Sequence, residues 1–158
     1  MESAQKKSVL PLSREEVTMS NERPMSDISY QAYLADERIM GSRCSSCGER
    51  FVPPRPLCPS CRSFDMVWEE MPQTGKLAAF TCITVPPPAL AAQGYGRDNP
   101  YCSGVVELDG GMRVVAMIEG VQAEKPQTIN VGLPLQAVFR HSSPDGGGQT
   151  ELLFRPLE

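Results

Sequence analysis

The residues best placed to do chemistry are four cysteines. Cys44-Ser45-Ser46-Cys47 and Cys58-Pro59-Ser60-Cys61 form two C-x-x-C pairs with ten residues between them. Two thiolates from each pair close a tetrahedron on one metal ion. All four donors are sulfur and none leaves a position open to water, so the spacing predicts one structural zinc ion held by Cys44, Cys47, Cys58 and Cys61. Catalytic zinc uses three protein ligands, usually His or Glu among them. A redox-active C-x-x-C needs a thioredoxin-like βαβ context, which the sequence lacks. Iron in a tetrathiolate site is the main rival. Gly48, directly after Cys47, suits the left-handed backbone that ends such a knuckle.

The remaining reactive side chains form no recognisable catalytic set. Acyl transfer by a nucleophile needs an activated thiol or hydroxyl with a base beside it. The one histidine, His141, closes a strand-like run beside a Ser-Ser-Pro-Asp-Gly turn and reads as a surface residue. Cys82 and Cys102 lie inside apolar strand-like runs and read as buried core thiols. No catalytic residue is assigned.

The elements that must position these groups are short. Fifteen prolines and thirteen glycines in 158 residues favour turns and brief strands. Residues 1–25 are polar and aperiodic and read as a flexible N-terminal arm. A helix is expected over 26–38, with Ser26 as N-cap and Tyr30, Tyr33 and Leu34 on one face. The metal module follows over 39–71. Strand-like pieces at 39–43, 49–52 and 64–69 flank the pairs, and Pro53-Pro54-Arg55-Pro56 makes a stiff connector. From 72 to 158 the pattern is strands: 76–85, 102–108, 112–119, 134–141 and 150–155. Phe80 and Cys82 are expected on one face of the first, with Leu77, Ala79, Thr81 and Ile83 on the other. A long loop rich in Pro, Gly and Ala covers 86–101, and loops of that length are usually functional. Asp109-Gly110-Gly111 and Asp145-Gly146-Gly147-Gly148 are hairpin turns. Five short strands after a metal module predict a small Greek-key barrel of the OB type.

Charge narrows the function. The net charge is −4, a poor footprint for a phosphate-backbone binder. Single-strand binding also needs stacking aromatics on the central strands. Residues 102–119 contain none. A single-stranded nucleic-acid binder is therefore the weaker alternative. No apolar run is long enough to span a bilayer, no signal peptide is visible, and the cysteine pairs have metal spacing, so a reducing cytoplasm is the expected location.

The order of features resembles a known family. A short helix leads into Arg43-Cys44-Ser45-Ser46-Cys47-Gly48, then Phe51-Val52-Pro53-Pro54-Arg55-Pro56-Leu57-Cys58-Pro59-Ser60-Cys61. Gly75-Lys76-Leu77 opens a strand, Val105-Val106-Glu107-Leu108-Asp109-Gly110-Gly111 follows, and the chain closes on Leu153-Phe154-Arg155-Pro156. Over residues 28–157 this is similar to the zinc-ribbon plus OB-fold proteins that accompany thiolase-like enzymes acting on acyl-CoA. The resemblance implies a mainly β chain with an N-terminal helix, a rubredoxin-like zinc ribbon and a five-stranded OB-fold barrel. It implies a non-catalytic accessory subunit, in an α2β2 hetero-oligomer with a thiolase-like catalytic subunit, whose barrel helps hold an acyl-CoA ester. The alternatives in that frame are a free-standing acyl-CoA carrier and partner enzymes of the aldolase or hydratase kind.

Coenzyme A carries anionic phosphates and an adenine. Arg97 is the first candidate for a phosphate contact, with Lys76, Arg113 and Lys125 behind it. Arg97 reads equally as a solvated loop charge. Tyr95 and Tyr101 flank it and can stack on adenine. Tyr30, Tyr33 and Leu34 either dock the helix on the partner or pack on the barrel. Arg55, held between prolines, anchors the two modules or meets a partner carboxylate.

Overall fold

The computed structural model describes residues 23–142 and 148–157. The expected arm at 1–25 lies outside the described residues up to 22, as does most of the 145–148 turn.

A nine-residue helix α1, Asp27–Ala35, opens the described chain. Ser26 caps it as the sequence predicts, its hydroxyl accepting from the Ser29 N–H at 3.2 Å. The helix ends short of residue 38 because Glu37 adopts a left-handed backbone, φ 57°. Tyr33 and Leu34 are buried, at 7% and 3% exposure. Trp68 meets the Tyr33 ring edge-on at 5.0 Å, and the Arg23 and Arg38 guanidinium groups lie over that ring at 4.6 and 5.4 Å. Tyr33 and Leu34 therefore fasten the helix to its own chain.

Three strands form the first sheet: β1 Met40–Cys44, β2 Arg50–Phe51 and β3 Met66–Glu70, in the antiparallel order β2-β1-β3. The connector folds back over β1. The Arg55 N–H donates to Oγ of the fully buried Ser42 at 2.9 Å. A side chain at Gly41 would run into the Phe51 carbonyl and Val52, which is why glycine stands there.

The second sheet closes into a barrel. Its strands are β4 Thr74–Ile83, β5 Tyr101–Leu108, β6 Arg113–Ile118, β7 Pro134–His141 and β8 Thr150–Pro156, in the order β4-β5-β6-β8-β7. β6 and β8 pair in parallel and every other neighbour antiparallel, with β7 returning to β4. This is the five-stranded OB arrangement the strand count predicted. Strict alternation on β5 puts Cys102, Gly104, Val106 and Leu108 inside. Leu77, Leu135, Ile118 and Phe154 join them. Asp109, Gly110 and Gly111 make the β5–β6 turn, with φ of 108° and 87° at the glycines.

Two expectations need correction here. The first concerns the faces of β4. A β-bulge between Leu77 and Ala79 slips the alternation by one residue. Leu77 therefore shares the core with Phe80 and Cys82 instead of facing away from them. The second concerns the loop after β4, which is not wholly irregular: α2, Pro88–Ala91, forms one turn opened by proline.

Candidate metal centre

The ribbon sheet brings the four predicted ligands together. The sulfurs of Cys44, Cys47, Cys58 and Cys61 all lie within 4.8 Å of one another. Cys44 to Cys61 and Cys47 to Cys58 are each 3.5 Å. A tetrahedron with zinc–sulfur bonds of about 2.3 Å has edges of about 3.8 Å, so the set matches one such ion.

Each pair sits in a matching knuckle. The Gly48 N–H donates to the Cys44 carbonyl at 2.9 Å, and the Arg62 N–H to the Cys58 carbonyl at 2.8 Å. Gly48 has the left-handed backbone foreseen for it, φ 81°, and Arg62 adopts the same conformation at φ 62°. The knuckles are tied across by Ser46, whose hydroxyl donates to Ser63 Oγ at 2.9 Å and also lies 3.2 Å from Asp65 Oδ2. Cys44 and Cys58 are buried, while Cys47 and Cys61 are on the surface.

The electrostatics of the sulfurs favour a cation. Burial opposes ionisation of Cys44, but the Cys47 and Ser46 N–H groups aimed at its sulfur outweigh it and hold the thiol low. The Cys61 and Ser60 N–H groups, against burial, pull Cys58 down to about 7. At Cys47 the Glu49 N–H favours the thiolate, yet desolvation and the three other sulfurs push the thiol up to about 12. Cys61 is also raised: the Ser63 N–H favours its thiolate, but desolvation with Cys44 and Cys58 prevails. Four thiols this close do not all ionise alone, and a divalent ion is what lets them.

The other predicted residues are more dispersed. Tyr95 and Tyr101 pack on each other, with ring centres 5.3 Å apart, and the Tyr95 hydroxyl reaches Met117 Sδ at 3.6 Å. Arg97 is exposed on the loop they border. Lys76 and Arg113 both turn to Glu107, at 3.3 and 2.9 Å. Lys125 is exposed before a 3-10 turn at Pro126–Thr128. The exposed Arg55 lies over the Phe51 ring at 5.8 Å. His141 straps elements together, with Nδ1 3.0 Å from Thr150 Oγ1 and Nε2 3.4 Å from Glu37 Oε1.

Cys82 and Cys102 are not free core thiols: they form a disulfide. The β4–β5 register places them directly opposite each other. The sequence showed only one cysteine near each end of a loop, and the pairing exists once the flanking strands are in register. Sequence reasoning also overlooked the ribbon's apolar surface, where Phe64 is 79% exposed and Leu57 40%.

Family comparison agrees with this architecture. Residues 32–67 match the family described as "ChsH2, rubredoxin-like zinc ribbon domain" and residues 68–140 match "ChsH2, C-terminal OB-fold domain". A DUF35 domain-containing scaffold protein of Methanocaldococcus jannaschii is 32% identical over 123 residues, covering 76% of this chain and 82% of that protein. The chain belongs to the ChsH2/DUF35 family of zinc-ribbon and OB-fold proteins. Among its relatives, a probable enoyl-CoA hydratase alpha subunit of Thermomonospora curvata is 32% identical, over 75% of this chain and 34% of its own length. The benzoylsuccinyl-CoA thiolase subunit BbsA of Thauera aromatica is 29% identical over 52% of each chain. Among solved structures, a chain of the Ltp2-ChsH2(DUF35) aldolase superposes with a TM-score of 0.66 at 29% identity, covering 85% of this chain and 98% of that one.

Proposed function

We propose that this chain is the non-catalytic, zinc-containing scaffold subunit of an acyl-CoA-processing complex, and that its partner is a thiolase-like catalytic subunit. The observation that carries this reading is the ribbon. Its metal set is closed, with four sulfur donors and no vacant position for a substrate, while large apolar side chains stand in water beside it. Phe64 at 79% exposure flanks the second knuckle, and Ile28 on α1 is 84% exposed. A rigid module that presents apolar anchors suits docking better than chemistry. The relative named as a benzoylsuccinyl-CoA thiolase subunit supports a thiolase-like partner, and the one named as an enoyl-CoA hydratase subunit supports the wider class of acyl-CoA enzymes.

On this reading the interface draws on Tyr30, Arg55 and Phe64. Tyr33 and Leu34 are occupied inside the chain and do not contribute. The barrel helps hold the acyl-CoA ester through the 84–100 loop, with Arg97 on a phosphate and Tyr95 and Tyr101 near the adenine. Lys76 is held by Glu107 and plays at most a secondary part. The assembly is an α2β2 hetero-oligomer in the cytoplasm.

Co-expression with a thiolase-like protein from the same genome tests the proposal. The expected result is a stable complex by size exclusion, turning over an acyl-CoA that neither protein turns over alone. Independent elution of the two proteins, or full activity of the partner alone, overturns it. Within the complex, Arg97→Ala is expected to raise the KM for acyl-CoA about tenfold, consistent with loss of one charge-assisted contact, and to leave the melting temperature unchanged. Unaltered kinetics would remove Arg97 from the ligand site.

A further inference from the structure

Cys82 and Cys102 occupy facing positions in the β4–β5 ladder, and ladder pairs hold them from both sides: Thr81 opposite Ser103, and Ile83 opposite Tyr101. Beyond Ile83 and Tyr101 the two strands part, and the chain between them is the loop that carries α2, Tyr95 and Arg97. The disulfide therefore sits at the neck of that loop, one residue pair from its mouth.

The same chain carries four cysteines whose sulfurs are free and close-packed. Such a set serves as metal ligands only where thiols survive. In reducing surroundings a protein disulfide is usually transient, catalytic or redox-sensing rather than a permanent staple. The bridge is a small part of the barrel core, which Leu77, Val106, Leu108, Leu135, Ile118 and Phe154 build together with Cys102. The two sulfurs differ in access. Cys102 is 1% exposed, whereas Cys82 is half-buried, so an incoming thiolate meets Cys82 first.

We propose that the Cys82–Cys102 bond is a reversible redox clamp on the 84–100 loop, opened by a protein or small-molecule dithiol. A thiolate of the dithiol attacks Cys82 Sγ and forms a mixed disulfide. The S–S bond breaks, and Cys102 leaves as a thiolate that takes up a proton. The second thiol of the reductant, on losing its proton, attacks the mixed disulfide and releases Cys82, also protonated. The reductant ends as its own disulfide, and two electrons and two protons have passed to the protein. Reoxidation by a disulfide oxidant reverses each step. The Thr81–Ser103 pair and the ladder before it keep the two thiols opposite each other, so the bond closes again without a conformational search.

Opening the clamp leaves the last ladder pair, Ile83 and Tyr101, to fray with the loop. Any effect on acyl-CoA rests on the reading above that Arg97 meets the ligand. The clamp and its effect on the loop do not, and they are tested on this chain alone.

Cysteine counting comes first. Protein purified without reductant, stripped of metal and denatured, is expected to alkylate at four cysteines, the free set. After native incubation with a thioredoxin-type dithiol the count is expected to reach six, every cysteine in the sequence, with metal content unchanged before denaturation. Backbone amide exchange in residues 83–101 is then expected to quicken about fivefold or more in the reduced form. Cys82→Ser is expected to show the fast pattern under both conditions; if that variant does not fold, the wild-type comparison alone decides. Six alkylated cysteines even after treatment with oxidised glutathione overturn the proposal. So does a count that stays at four until the protein unfolds, or amide exchange that is the same in both redox states. None of these outcomes depends on whether a complex with the thiolase-like partner forms.

Discussion

At the level of single residues, the cluster of Cys44, Cys47, Cys58 and Cys61 was legible because its chemistry is written in local spacing. Removing one leaves three thiolates and an open position. Cys58→Ser is expected to lower zinc affinity more than about a hundredfold and to expose the ribbon, read by elemental analysis and by Trp68 fluorescence. Charge behaves differently. The Arg113 and Lys76 cations hold the Glu107 carboxyl below its ordinary value. A carboxylate depressed in the folded state adds stability above its unfolded pKa, and that contribution fades as pH falls through the folded value. The melting temperature of Glu107→Gln should therefore lie below wild type at neutral pH and converge with it in acid. A constant gap across that range would detach Glu107 from the pH dependence of stability. These ion pairs were not visible in advance, because Lys76, Glu107 and Arg113 meet only across the β4–β5–β6 register.

Secondary-structure elements followed their periodicity wherever packing left it alone. Ser26 capped its helix, and β5 alternated in and out without interruption. β4 departed from the expected faces because its bulge is a property of the pairing with β5, and an extra residue in one strand has no local signature here. The disulfide was hidden for the same reason: it exists only once two strands separated by a long loop are in register. Close packing at this scale can be tested at Gly104. A Cβ there would stand 2.8 Å from Leu77 Cδ1 and from Ile118 Cγ1. Gly104→Ala is expected to destabilise the barrel by about 1–3 kcal/mol in urea unfolding, with little change in slope. A variant as stable as wild type would mean that Leu77 and Ile118 repack freely.

Across the whole molecule, the architecture was readable from the sequence, whereas the outward surface was not. Alternation and turn residues predict an interior, but they say little about which apolar side chains remain in water. Phe64 is the plainest case, and Phe64→Asp tests it. Because the side chain is exposed, stability should change by less than about 0.5 kcal/mol, while recovery of the thiolase-like partner on an affinity column should fall at least tenfold. Undiminished recovery would move the interface elsewhere. The junction of ribbon and barrel has a practical consequence of its own. Ile39 and Met71 bracket the ribbon strands, are joined by the Met71 N–H to the Ile39 carbonyl at 2.8 Å, and are packed into the barrel interior at 0% and 2% exposure. The two modules are thus not interchangeable cassettes. A chimera that grafts a foreign ribbon onto this barrel must keep Ile39 and Met71 on the barrel's side of each splice, or it transplants a handle without its socket.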